Sequence, residues 1–196
     1  MTDNPPQPEA LSGGAGQRVR PAPARTRAEL LQRLAALGIP YTLHEHPAVF
    51  TVTDAQRLRG ALPGAHCKSL FLKDKRGKFY LLVCLEDRRI DMKALAGLIG
   101  SARLSFAKPP LMAERLGVEP GSVTPFAIIN DDAEQGREVD IILDAEMMQA
   151  SLVNYHPLIN TATIAVTPAD LIRFLEACHH APRCLDLAAA TQESST

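Results

Sequence analysis

Two β-rich runs, residues 67–72 and 78–85, stand on either side of Asp74-Lys75-Arg76-Gly77. Leu, Phe, Tyr and Val dominate the runs, and a short polar stretch ending in glycine is the chemistry of a tight reversal. The middle of the chain is thereby committed to a β-hairpin, and the remaining signals are read as what packs around it.

Ahead of the hairpin, Thr26-Arg27-Ala28-Glu29 has the spacing of a capping box and opens a helix. Leu30, Leu31, Leu34 and Leu37 fall on one stripe of it, and Gly38 ends it. Residues 41–46 are expected to be extended, and residues 53–56 to cap a short helix ending near Gly60. After the hairpin, residues 91–99 fit a helix capped by Asp91 and stopped by Gly100, and residues 110–116 fit another with proline in its first turn. Residues 126–130 and 139–143 read as buried strands around a polar Asp-Asp-Ala-Glu-Gln-Gly turn, and 161–166 as one more. Thr167-Pro168 starts a last helix with Leu171, Phe174, Leu175 and Cys178 spaced for a core-facing stripe. The expected architecture is a single α+β domain, a mixed and mostly antiparallel sheet surrounded by helices.

At 196 residues, 46% hydrophobic and 22% charged, the chain suits one core better than two. Residues 1–24 are rich in Pro, Gly, Ala and Gln and poor in large apolar side chains, which predicts a flexible leader. The domain is expected over 25–188, with a loose tail over 189–196. No repeat of solenoid period is visible. The formal net charge of −1 and pI near 6.6 advertise no overall basic field, so a nucleic-acid partner would need a local patch. Apolar runs fall far short of the ~20 residues of a spanning helix, and the opening residues lack the pattern of a secretory signal. A cytoplasmic protein with no membrane partner is expected, its four cysteines (Cys67, Cys84, Cys178, Cys184) as free thiols.

Three places carry unusual chemistry. Lys68 shares a strand face with Leu70 and Leu72; it is either a lysine snorkelling to water or a cation at a cleft mouth that pairs with a phosphate. Gly121, Ser122, Val123, Thr124 and Pro125 form a loop before an apolar run; it is either an ordinary turn or a rigid rim whose peptide groups meet a ligand closely. Asn154, Tyr155, His156 and Asn160 lie on a segment expected to be irregular, between helix and strand. His156 is either a capping group or a residue that orients a carbonyl or ribose hydroxyl. Weaker candidates are Cys178, His179, His180 and Cys184, which lack paired zinc spacing, the alternating His44 and His46, and Cys67 as an activated thiolate beside Lys68. No phosphate-cradling glycine loop and no nucleophile elbow appears, which speaks against ATP hydrolysis and α/β-hydrolase chemistry.

Taken in order, His-Cys-Lys-Ser-Leu-Phe-Leu-Lys-Asp at 66–74, Pro-Gly-Ser-Val-Thr-Pro-Phe-Ala-Ile-Ile-Asn at 120–130 and Val-Asn-Tyr-His-Pro-Leu-Ile-Asn-Thr-Ala-Thr at 153–163 resemble the YbaK/prolyl-tRNA editing family. The similarity is nearest the branch of free-standing alanyl-tRNA(Pro) deacylases, of ProX or PrdX type, and extends to the editing insertion of prolyl-tRNA synthetase. It spans about residues 25–188. The resemblance implies that Lys68 holds the phosphate of the terminal adenosine, that the Gly121 carbonyl positions the attacking water, and that His156 fixes the aminoacyl end. It further implies substrate contacts from Ser69, Ser122, Val123, Thr124, Pro125, Asn154 and Asn160. Ser69 stands where related sequences often carry asparagine.

No cofactor and no metal is implied, because an aminoacyl ester is already activated and needs mainly a positioned water. The expected activity is hydrolysis of mischarged Ala-tRNA(Pro) through contacts to the acceptor end, with prolyl-tRNA synthetase as a second partner and no DNA. Two alternatives stay open. One is a deacylase for another small residue, on Cys-tRNA(Pro) or Ser-tRNA; the other is a non-catalytic module that binds tRNA or synthetase.

Overall fold

A computed structural model describes residues 24–47, 62–131 and 139–191. Helix α1 (Arg27–Ala36) begins with the capping box complete: the Thr26 hydroxyl accepts from the Glu29 amide at 3.3 Å, and the Glu29 carboxylate accepts from the Thr26 amide at 2.7 Å. Two amides that a helix start leaves unpaired are thus satisfied, while Leu30 and Leu34 are fully buried. Strands β1 (Thr42–Glu45), β2 (Ala65–Asp74) and β3 (Phe79–Leu85) follow. The short helix expected over 53–60 lies outside the described residues.

β2 and β3 form the expected antiparallel hairpin, with seven residue pairs from Cys67↔Leu85 to Lys73↔Phe79. Its turn is held by the Asp74 carboxylate, which accepts from the amides of Arg76 at 2.9 Å and Lys78 at 3.0 Å. Helix α2 (Met92–Ile99) is capped by Asp91, whose carboxylate accepts from the amides of Lys93 and Ala94, both at 2.8 Å, and ends at Gly100. β4 (Leu104–Phe106), α3 (Pro109–Leu116), β5 (Val139–Asp144), β6 (Val153–Tyr155), β7 (Ala162–Val166), α4 (Pro168–Ala177) and β8 (Arg183–Leu185) complete the order.

All eight strands belong to one mixed sheet, in the order β1-β7-β6-β2-β3-β5-β8, with β4 on β2 beside that path. Pairs β2·β6, β3·β5 and β5·β8 are parallel and the other four are antiparallel. β3 is buried on both faces. Phe79, Leu81 and Val83 join a large core with α1, α4 and Phe126, while Tyr80, Leu82 and Cys84 join a smaller one with Leu95 and Ile99 of α2. Each fully buried Leu or Phe contributes roughly 1.5–3 kcal/mol of burial, so β3 anchors both layers.

Four expectations are corrected. Residues 126–130 are not a strand: Pro125–Asn130 is a 3₁₀ helix. Its start explains why, because the Thr124 hydroxyl accepts from the Phe126 amide at 3.3 Å and Pro125 supplies a φ already suited to a first turn. The four-residue apolar run Phe126 to Ile129 suits either geometry, so hydrophobicity does not separate them. Secondly, residues 153–155 are strand β6 rather than irregular chain, paired to both β2 and β7. Thirdly, the sheet edge gains two short strands, β4 and β8, whose pairing is not visible in their own residues. Lastly, the tail is packed as far as Thr191: Ala190 is fully buried and Thr191 bridges to Ile90.

Candidate functional site

β2 is ten residues long, and one of its edges is shared by two partners. Ala65 and His66 pair with β6, and Leu72 to Asp74 pair with β4. Between these pairings the sheet parts. A cleft of about 450 Å³ opens there, lined by β2 from His66 to Phe71, by Phe106, and by Asn154, Tyr155 and His156. Met112, Pro120, Gly121 and Val123 close it from the α3 side, and Glu86 and Thr163 complete the wall.

The site rests on close backbone approaches. Gly64 has φ +96°, and a Cβ there would stand 2.7 Å from the Leu152 carbonyl oxygen. Only glycine lets the Ala65 amide reach that oxygen, at 2.8 Å, and start the β2·β6 pairing.

Lys68 is half-buried and shares its sheet face with Leu70 and Leu72, as expected. Its ammonium does not run to bulk water. It donates to the Glu86 carbonyl at 2.9 Å and to the Arg88 carbonyl. These carbonyls belong to the turn that leaves β3, and Arg88 clamps that turn: its Nε lies 2.7 Å from Asp144 Oδ2, with Glu146 as a second carboxylate partner. Ser69 lies on the opposite face of β2 and also lines the cleft.

Gly121 has φ +87°, the left-handed region that side chains avoid, and Asn160 Nδ2 would stand 4.0 Å from a Cβ built on it. Of the predicted loop, Gly121 and Val123 line the cleft. Ser122 and Thr124 are buried polar residues and Pro125 is buried, so these three form the frame that holds the rim.

Asn154 and His66 are cross-strand partners and project from the same face as Lys68. The Asn154 amide donates to the carbonyls of Pro63 at 2.9 Å and Ala65 at 3.2 Å, which fixes its orientation. His156 Nδ1 lies 2.9 Å from the Ala162 carbonyl. A carbonyl only accepts, so the neutral ring carries its proton on Nδ1 and leaves Nε2 as an acceptor. Burial lowers the His156 pKa, and nearby His46 adds to this against the raising effect of the Ala162 carbonyl. His46 was not expected to take part; its ring centre is 6.1 Å from that of His156, and its Nε2 lies 3.0 Å from the Thr163 hydroxyl. Beyond His156 the chain turns through Leu158, at φ 69° and buried. A leucine in that region costs about 1–2 kcal/mol, which the packing around it must offset.

The remaining candidates do not converge here. Burial pushes the Cys67 thiol up to about 12, so it is no thiolate at neutral pH. Among the described residues no three His, Cys, Asp or Glu side chains cluster to hold a metal ion. His180 lies elsewhere, buried with Nε2 3.4 Å from Asp131 Oδ2. Also among the described residues, no helix is long and apolar enough to cross a membrane. His66, Glu86, Phe106, Met112 and Thr163 line the cleft without having been singled out from the sequence; only His66 and Thr163 had a cue, standing at the ends of the first and third motifs.

The description of an aminoacyl-tRNA editing domain matches residues 46–174. The chain is 39% identical over 176 residues to prolyl-tRNA synthetase associated domain-containing protein 1 of Danio rerio, covering 89% of this chain and 93% of that protein. It is 33% identical over 159 residues to the prolyl-tRNA editing protein ProX of Acetoanaerobium sticklandii, covering 81% of this chain and 95% of that one. A crystal structure described as a candidate trans-editing enzyme for prolyl tRNA synthetase superposes with a TM-score of 0.64 at 22% identity, over 87% of this chain and 99% of that one.

Proposed function

The chain belongs to the family of aminoacyl-tRNA editing domains, and from that premise we propose that it is a trans-editing deacylase that hydrolyses the ester of mischarged Ala-tRNA(Pro) in the cleft beside β2. The observation that carries this reading is that Lys68, Gly121 and His156, from three distant stretches of sequence, line one cleft.

In this reading the Lys68 ammonium, already oriented by two carbonyls, meets a phosphate of the acceptor end; it acts as a point charge and fixes the ester's position along β2. The Gly121 carbonyl accepts a hydrogen bond from a water and holds it against the ester carbon. That water adds to the carbonyl, the tetrahedral intermediate collapses, and the C–O bond to the ribose breaks. The ribose oxygen leaves with one proton of the water, the other passes to solvent, and the amino acid departs as its carboxylate. Neutral His156 offers Nε2 as an acceptor to the aminoacyl or ribose end, with its ring orientation set by Ala162. Asn154, Ser69, Val123 and Asn160 supply further polar contacts and packing around the aminoacyl end. Ser122, Thr124 and Pro125 hold the rim in place. No covalent intermediate is needed; positioning supplies the rate.

Prolyl-tRNA synthetase is proposed as the partner whose errors the enzyme corrects. Alanine is proposed as the residue removed, with proline rejected by shape, because admitting an extra methylene discriminates by only ~1–3 kcal/mol. The test is deacylation by purified protein of Ala-, Cys- and Ser-charged tRNAs, with Lys68→Ala alongside. Hydrolysis fastest on Ala-tRNA(Pro), lost by at least about a hundredfold in Lys68→Ala, is the expected result. Intact Ala-tRNA(Pro) beside hydrolysis of the others would overturn the specificity, and full activity in Lys68→Ala would overturn the site.

A further inference from the structure

Phe106 is 62% exposed, the most exposed large hydrophobic side chain among the described residues. Strand β4 buries Leu104 and then turns Phe106 outward. Nothing in the β2·β4 pairing requires this, since Phe106 stands opposite Leu72, whose own side chain is fully buried. Leaving a phenyl ring in water forfeits burial that a polar residue at this place would not lose.

The ring is at the cleft. Phe106 lines the same cavity as Lys68, and its pairing with Leu72 puts it on the sheet face that Lys68 and Leu70 share. Lys68 and Leu72 are four positions apart on β2, about 13 Å of extended chain. One end of this face therefore offers an ammonium and the other a bare aromatic ring. Lys108, exposed two residues beyond Phe106, adds positive charge near the ring. A cationic track with an aromatic side chain on it is the means by which single-stranded nucleic acid is held without sequence readout: phosphates meet the cations and a base lies on the ring.

We infer that Phe106 is a stacking platform for an unpaired base of the RNA acceptor end, engaged while Lys68 holds a phosphate of the same strand. The inference rests on the reading of the cleft as a tRNA-editing site and extends it outward along β2 to β4. Phe106 binds substrate and takes no part in the chemical step.

The experiment measures binding of uncharged tRNA(Pro) to the full-length protein, and separately the kinetics on Ala-tRNA(Pro), for the wild type, Phe106→Ala and Phe106→Trp. Phe106→Ala is expected to weaken binding of the uncharged tRNA about tenfold, the scale of one lost base stack, and to raise KM rather than lower kcat. Phe106→Trp is expected to bind at least as tightly as the wild type, which a general loss of folding on substitution would not explain. Removing the bases of the unpaired acceptor end, with its sugar-phosphate kept, is expected to abolish the difference between wild type and Phe106→Ala. Equal binding by wild type and Phe106→Ala overturns the inference, as does a Phe106→Ala effect confined to self-association of the protein or to contact with the synthetase. Because uncharged tRNA needs no hydrolysis to bind, a failure to deacylate any tRNA sinks the proposed activity without deciding the platform, which the binding arm then decides alone.

Discussion

At the residue scale the site works through groups whose protonation and direction are set by single neighbours. His156 is the clearest case. Its Nδ1 is committed to the Ala162 carbonyl, and burial lowers its pKa below the ordinary histidine value of 6.5. The unfolded chain therefore binds the proton more readily than the fold does as pH falls through 6.5. The contribution of His156 to stability is complete above that value and declines as pH drops toward and through the lowered folded value. Activity that needs the neutral ring follows the folded value. The acid limb of the kcat/KM profile is expected to lie below the usual histidine range in the wild type, and to lose the His156 component in His156→Ala. An acid limb at or above 6.5 in the wild type, unchanged in the variant, would remove His156 from the mechanism. Of the site residues named from the sequence, Lys68, Ser69, Gly121, Val123, Asn154 and His156 line the cleft. Thr124 could not be placed in advance, because a hydroxyl that caps a 3₁₀ helix and one that binds a ligand look alike in sequence.

At the scale of elements, the position of Lys68 depends on the turn after β3 as much as on β2. That turn presents the Glu86 and Arg88 carbonyls to the ammonium, and the Arg88 guanidinium ties it to Asp144 at the end of β5. Arg88 and Asp144 side chains are 10% and 1% exposed, so removing Asp144 leaves the buried guanidinium with only the solvent-exposed Glu146 carboxylate. Asp144→Ala is expected to destabilise the protein by about 3–5 kcal/mol in denaturant unfolding. A loss under about 1 kcal/mol would mean that water reaches Arg88 and that the turn is not clamped by the pair. Helix starts were legible because their signals are local: Thr26 with Glu29, and Asp91 with the amides two and three residues on, need no distant partner. Short strands were not. β6 and β8 have three residues each, and what makes them strands is a neighbour far away in the chain.

At the scale of the molecule, one aromatic joins the loop of the site to the core. Phe126 follows the Gly121 loop directly, is fully buried, and meets Phe174 of α4 at 5.1 Å and Tyr155 of β6 at 6.0 Å, both edge-on. Phe126→Ala is expected to cost about 3–5 kcal/mol, read as a lower midpoint in a single cooperative unfolding transition. A cost near zero would show that the loop is not anchored through this ring. Such links mark the division between what the chain spells out and what folding adds. The sequence by itself determined the order and type of the long elements, the hairpin, the helix caps and the residue types available for chemistry, because hydrophobic period, capping and turn formation act over a few neighbouring residues. Only the tertiary structure decided that β2 is shared between β6 and β4, and this parting of the sheet creates the cleft and brings positions 68, 121 and 156 to it. Strand partnership between distant segments is settled by the burial of both sheet faces at once, and no window of the sequence contains that information.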